Sequence, residues 1–388
     1  MLTLQVRGIY DEGAGTYPDG SRVRRPCSQA LPSFGGARLQ RTPAIRITLA
    51  VMRIPLVLAV VALSFGCAAA IAPQPAPQAP QPTALQWFKG NTHAHTLESD
   101  GDSTPEEVTR WYKEHGYHFL VLSDHNVLTQ IDDLNAKYAV PGAFTLIRGE
   151  EVTTPFDGKA IHVNGIDTRE QIGRQQGSSV AEILQNSVDS VRKQDGVPHI
   201  NHPNFGWSLT PAQLGAVKNN KLFEIYNGHP MVNNFGGGGM PGTEQAWDAI
   251  LSQGVLLYGI AVDDAHHFKD PGNPKLAGPG RGWIVVRATT LSPRAILGAM
   301  ERGDFYASTG VELTDYEVTR TSMTVTVKKN AYAKYRIQFI GKDGVVLHEA
   351  LDSPAVYVFR GTEGYVRARV LDSNGGIAWG QPAVGAPR

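Results

Sequence analysis

The chemistry of this chain is concentrated in its histidines. All twelve lie between His93 and His348, and eight of them stand at 93/95, 125, 162, 199/202 and 266/267. Carboxylates stand close by in His93-Ala94-His95 with Asp100, Asp124-His125, Glu150-Glu151 and Asp263-Asp264-Ala265-His266. Side chains two apart on a strand face the same way, so both imidazoles of His93-Ala94-His95 can reach one ion. The only cysteines, Cys27 and Cys67, precede the region that reads as folded, so a metal must use N and O ligands. Nine such ligands are too many for one tetrahedral ion and imply two or three metals sharing a bridging carboxylate. Mixed N/O sites rich in histidine suit Zn, Mn or Fe better than Ca or Mg. Clustered divalent ions bring the pKa of a bridging water near neutrality, so the chemistry expected of them is hydrolysis.

These groups need a scaffold that gathers them. Trp87 to Thr92 opens a strand, and Thr104-Pro105-Glu106-Glu107 starts a helix with an N-cap Thr, Pro in the first position and Glu at the third. Apolar runs predict further strands at 119–122, 144–149, 161–166, 197–201, 222–227, 255–262 and 283–288. Helical stretches at 179–194, 211–219, 243–253 and 292–302 lie between several of them. This alternation predicts an α/β fold with a mainly parallel sheet, open or closed into a barrel. The His, Asp and Glu groups fall at the C-terminal ends of these strands, where such folds gather catalytic groups. From about Leu313 the pattern changes to antiparallel β, with Thr324-Val325-Thr326-Val327 alternating and turns at Lys342-Asp343-Gly344 and Ser373-Asn374-Gly375.

At the other end, residues 54–72 carry no charge and follow Met52-Arg53, the form of an export signal. Residues 1–51 hold seven Arg and no Lys and read as a non-structural upstream segment. The expected divisions are 1–51, a signal at 52–72, a Pro/Gln-rich linker at 73–86, a catalytic domain at 87–312 and a β-sandwich-like domain at 313–388. Leu63-Ser64-Phe65-Gly66-Cys67 resembles a lipoprotein cleavage site, so the expected location is the bacterial periplasm or outer surface. A soluble periplasmic product and a retained membrane anchor are the alternatives. Lys+Arg and Asp+Glu each number 36, and this neutral balance argues against a nucleic-acid partner and for a small-molecule substrate. With 41% hydrophobic and 19% charged residues the chain can bury a core.

Gly90-Asn91-Thr92-His93-Ala94-His95-Thr96 with Ser99-Asp100-Gly101, and Ser123-Asp124-His125-Asn126, resemble the first two motifs of the PHP (polymerase and histidinol phosphatase) superfamily. Gly149-Glu150-Glu151, Asn201-His202-Pro203 and Asp264-Ala265-His266 are similar to its later motifs, and the resemblance spans roughly residues 87–312. It implies a distorted (β/α)7 TIM-like barrel carrying a trinuclear site. His93, His95, Glu151 and Asp264 would hold the first metal, Glu151, His162 and His202 the second, and Asp100, His125 and His266 the third. The motif spacings favour Glu151 over Glu150 and Asp264 over Asp263. Glu224-Ile225-Tyr226-Asn227-Gly228-His229 looks closer to an exported branch that includes carbaryl-hydrolase-like proteins.

The first functional expectation is a phosphoesterase in which a metal-bound hydroxide attacks phosphorus, Asp264 accepts its proton and His199 or His229 protonates the leaving group. The alternatives are a carbamate, ester or amide hydrolase with the same ligands, and a non-catalytic exported binding protein. His199, Asn227, His229 and Arg281 are the candidate substrate contacts, and Phe205, Trp207 and Trp283 line a pocket or pack in the core. Asp124 is placed to orient a ligand or simply to end its strand. Gly236-Gly237-Gly238-Gly239 is a lid or a plain loop; it is no phosphate loop, since no Gly-Lys-Ser/Thr follows.

Overall fold

The structure is a computed structural model that describes residues 84–385. The upstream segment, the export signal, both cysteines and the linker up to residue 83 lie outside the described residues, which all fall within one unit, Pro75–Arg388. Among them no helix is long and apolar enough to cross a membrane.

Strand β1 (Gln86–Asn91) leads to helix α1 (Pro105–Glu114), β2 (Phe119–Val121), α2 (Asp132–Tyr138) and β3 (Thr145–Ile147). Helix α1 begins where the capping pattern predicts: the Glu107 N–H donates to Thr104 Oγ1 and the Thr104 N–H to the Glu107 carboxylate. The three strands are parallel. Gly90 is required there, because a Cβ would sit 2.2 Å from the Phe119 ring.

The expected alternation then breaks. Only Arg148 separates β3 from β4 (Gly149–Phe156), too little chain for a crossover helix. Strand β4 turns back at Asp157-Gly158, both with positive φ, into antiparallel β5 (Lys159–Ile166). After helix α3 (Val180–Lys193), strand β6 (Val197–Ile200) pairs antiparallel with β5. Helix α4 (Pro211–Ala216), β7 (Leu222–Asn227), α5 (Thr243–Ser252) and β8 (Tyr258–Val262) follow, with β6, β7 and β8 parallel. Strand β9 (Trp283–Ala288) lies antiparallel to β1, and beyond α6 (Pro293–Arg302) strand β10 (Phe305–Ser308) lies antiparallel to β9.

The tail adds β11 (Leu313–Val318), β12 (Ser322–Val327), β13 (Tyr335–Ile340), β14 (Val346–Ala350), β15 (Ala355–Val358), β16 (Tyr365–Asp372), β17 (Ile377–Gly380) and β18 (Ala383–Val384). Strand β17 pairs with β10, so one ten-stranded sheet runs β14-β13-β16-β17-β10-β9-β1-β2-β3, with β18 on β16. Strands β11, β12 and β15 form a separate sheet, and β4 to β8 form a five-stranded one.

The architecture is therefore mixed α/β with open sheets rather than a closed, regularly alternating (β/α)7 barrel. The physical reason is the hairpin at 157–158 and the antiparallel returns of β6, β9 and β10, which interrupt any parallel ring. Two isolated parallel bridges, His125–Glu151 and Ala94–Ala265, join the five-stranded sheet to the ten-stranded one. Between them lies a core that includes Phe88, Phe119, Ile200, Phe223, Ile260 and Val286.

One buried ion network ties the tail to the body. Arg367 on β16 is 1% exposed and grips Asp248 of α5 through two bonds of 2.7 Å, while reaching Glu244 at 2.8 Å. Removing one partner of such a network leaves uncompensated buried charge. Arg367→Met is expected to cost about 3–5 kcal/mol of stability in urea unfolding. A loss below about 1 kcal/mol would contradict this reading of the network.

Candidate metal centre

The cluster sits where the two sheets meet. Beyond the end of β1, Ala94 bridges to Ala265, with the His95 N–H donating to the Ala265 carbonyl and the Asp264 N–H to the His93 carbonyl. Alternation then turns His93 and His95 to one side and buries Ala94 on the other. Likewise the His125–Glu151 bridge sets the end of β2 beside β4. The loop carrying Asp100 folds back on His95 because Gly101 has no side chain; a Cβ there would lie 2.8 Å from the His95 backbone. Asp264 has φ of 50°, a left-handed conformation that Asp tolerates.

Four overlapping groups of side chains each bring their ligand atoms within 4.8 Å of one another. They are His93, His95 and Glu151; His93, His202 and Asp264; His125, Glu151 and His162; and His95, Asp100, His125 and His266. His93 Nε2 and His95 Nε2 lie 3.1 Å apart, and Asp264 Oδ1 lies 3.2 and 3.1 Å from them. Glu151 Oε1 is 2.9 Å from His162 Nδ1 and 3.3 Å from His202 Nε2, while its Oε2 is 2.7 Å from His125 Nδ1. Asp100 approaches His266 Nε2 at 3.3 Å and His125 Nε2 at 3.6 Å. The Asp100 side chain is half exposed, whereas His93, His95 and Glu151 are wholly buried, so the cluster opens on the Asp100 side.

This donor set fits divalent ions. Ring nitrogens directed at one another, as His93 Nε2 and His95 Nε2 are at 3.1 Å and His162 Nδ1 and His202 Nε2 at 3.2 Å, are costly arrangements that a cation relieves. The paired carboxylates sort as adjacent strand residues must. Glu151 and Asp264 face the cluster. Glu150 faces away and accepts the Ile172 N–H, and Asp263 accepts Tyr112 Oη, Arg281 N and Gly282 N.

Three sequence expectations change. His199 is wholly buried behind His93, 3.8 Å from Glu224, and burial holds its pKa to about 4. It therefore does not face the opening on the Asp100 side. Asn227 donates to Glu224 Oε2 and Asp264 Oδ2 and accepts the His229 N–H, so it positions the site rather than contacting substrate. Asp124 accepts Thr96 N, Thr96 Oγ1, Ser99 Oγ and Thr129 Oγ1. It pins the loop between His95 and Asp100 rather than orienting an imidazole.

Half-buried His229 accepts the Met231 N–H at Nδ1 and lies 5.6 Å, ring to ring, from His266. The Arg281 guanidinium donates to Gly228 O and Asn273 O. Phe205 packs beside His202 and His229, while Trp283 lies over the Lys89 ammonium.

Glu224 is the residue that sequence reasoning left without a role. It is wholly buried, accepts from His93 Nδ1 at 2.7 Å and from the His202 N–H at 2.7 Å, and thereby fixes the His93 tautomer with Nε2 toward the cluster. Its signal was a carboxylate inside the apolar strand Leu222-Phe223-Glu224-Ile225. Glu224→Gln is expected to lower metal affinity about 10–100-fold, measured by titration calorimetry. An unchanged affinity would show that the Glu224 charge does not matter.

Charge within the cluster is strongly coupled. Burial pushes His125 down, but the Glu151 and Asp100 carboxylates outweigh it and raise the imidazole to about 10. His93, His202 and His266 also rise, against burial, under neighbouring carboxylates. His95 is held to about 4 by burial and by His266 and His125. Burial alone would raise Glu151 and Asp264, yet the histidines hold both well below the usual range. A metal displaces the protons of the raised imidazoles, so its affinity is expected to climb from about pH 6 to about pH 8, with proton release in calorimetry. A flat profile would mean that these imidazoles are not ligands.

No protein-family model matches the chain. Among curated proteins, a 5′-3′ exoribonuclease of Haemophilus influenzae is 32% identical over 79 residues. That stretch is 20% of this chain and spans 28% of the relative's length. Among solved structures, the chain is similar to a two-domain protein containing a predicted PHP-like metal-dependent phosphoesterase from Bacteroides vulgatus. The TM-score is 0.47 and the identity 16%, covering 76% of this chain and 92% of that one. It is also similar to an amidohydrolase from Chromobacterium violaceum, at TM-score 0.35 and 14% identity over 47% of this chain and 88% of that one. The lesion-specific endonuclease of Pyrococcus furiosus gives a TM-score of 0.34 and 13% identity over 56% of each chain.

Proposed function

We propose that the protein is a divalent-metal-dependent phosphoesterase acting on a small phosphorylated substrate. The observation that carries this reading is the convergence of nine imidazole and carboxylate side chains, most of them buried, on one opening at the sheet seam. His93, His95, Glu151 and Asp264 would hold one ion, Glu151, His162 and His202 a second, and Asp100, His125 and His266 a third. Bound divalent ions supply Lewis acidity, polarising phosphoryl oxygens and lowering the pKa of water.

The chain's own groups then manage the protons. The oxygen of the attacking water forms the new bond to phosphorus, and its proton passes to Asp264 Oδ2, the oxygen that Asn227 Nδ2 holds at 3.0 Å. As the bond from phosphorus to the leaving oxygen breaks, that oxygen accepts a hydrogen bond from His229 Nε2 and takes its proton from solvent at the opening, to which Asp264 returns the proton it accepted. Because His229 Nδ1 accepts a backbone N–H, the ring is neutral with its proton on Nε2, where it can donate a hydrogen bond. A net charge of zero supports a small substrate over a polyanion.

A second reading, hydrolysis of an aryl carbamate or ester, draws support from the cleft beside His229, whose walls include Phe235, Pro271 and Pro274. The test is turnover of nitrophenyl phosphate, nitrophenyl acetate and naphthyl carbamate by the protein stripped with chelator and reloaded with Mn or Zn. Phosphate-selective turnover that chelation removes is the expected result. Carbonyl turnover without phosphate cleavage would replace the first reading with the second.

A further inference from the structure

Beside His229 the chain forms a cleft of about 430 Å³, large enough for one ring system. Its lining includes Pro230, Pro271, Pro274 and Pro279 together with the rings of Tyr226 and Phe235. Its polar end is Arg281. That guanidinium donates to the carbonyls of Gly228 at 3.0 Å and Asn273 at 2.7 Å and makes no ion pair among the described residues within 4 Å. Five N–H donors less two leaves three on this guanidinium. Phe235, which lines the cleft, is 77% exposed, an apolar ring held in water.

We propose that this cleft is the leaving-group subsite and that it takes an aromatic ring bearing a carboxylate or similar anionic substituent directed at Arg281. The inference rests on the phosphoesterase reading. His229 is both the hydrogen-bond donor to the leaving oxygen and a wall of the cleft, so the group attached to that oxygen enters here. Proline and aromatic faces pack a flat ring at small entropic cost. The Arg281 guanidinium, fixed by two backbone carbonyls, keeps three N–H donors with which to meet a carboxylate.

Three esters whose leaving alcohols are similar in acidity separate the contributions: ethyl phosphate, 2-phenylethyl phosphate and 2-(4-carboxyphenyl)ethyl phosphate. With the full chain loaded with Mn, kcat/KM is expected to rise about 10-fold or more from the first to the second. It is expected to rise again, by a similar factor, from the second to the third. Phe235→Ala, at an exposed position that the fold tolerates, lowers the first ratio. Arg281→Met abolishes the second. Equal kcat/KM for all three esters would overturn the subsite while leaving the phosphoesterase reading intact. Hydrolysis of none of them by metal-loaded protein would overturn both.

Discussion

Glu151→Gln is expected to lower turnover by about 10³-fold or more, because the change removes several kcal/mol of metal-supplied stabilisation at once. Glu151 belongs to two of the ligand groups, and its two oxygens face His93, His162 and His202 on one side and His95 and His125 on the other. A Gln amide keeps the shape but offers one neutral oxygen and one N–H donor where two anionic oxygens were needed. Metal content should therefore fall along with activity. Mass spectrometry of metal per chain, beside a thermal melt showing a folded variant, reads this directly. A variant that keeps full metal content would remove Glu151 from its bridging position.

Asp264→Asn should be equally damaging to turnover and milder on metal content. Asn accepts a left-handed φ as readily as Asp does, so the backbone at 264 is preserved. Asp264 joins His93 and His202 in one group, while the group of His93, His95 and Glu151 does not need it. Turnover is expected to drop about 10³-fold through loss of the proton acceptor and one anionic ligand. Full activity in this variant would refute the part assigned to Asp264.

The site was more legible in the sequence than the fold. Ligand type and spacing are local: His93-Ala94-His95 needs only a strand to align two imidazoles, and it keeps that meaning whether or not the sheets close. Helix α1 and strands β7 and β9 were equally local, set by a capping box and by apolar runs at 222–227 and 283–288. Strand direction is not local. Strand β4, Gly149–Phe156, is no apolar run and was not expected beyond residue 149, and only Asp157-Gly158 announced the hairpin into β5. Helix α2 was missed because Ile131 offers no side-chain cap. The substrate-side residues divided by depth, which sequence does not encode. His199 lies near the end of β6 and His229 just beyond β7, yet one is sealed behind His93 and the other lines the neighbouring cleft. Glu224 acts only through His93 and His202, so its role appears when three strands are brought together.

The central claim is that these side chains form a centre for more than one divalent ion. The direct measurement is calorimetric titration of Mn or Zn into chelator-stripped full chain, with metal per chain counted after desalting. The account predicts two or three tightly held ions, and fewer for Glu151→Gln. One ion per chain, or none, would contradict it.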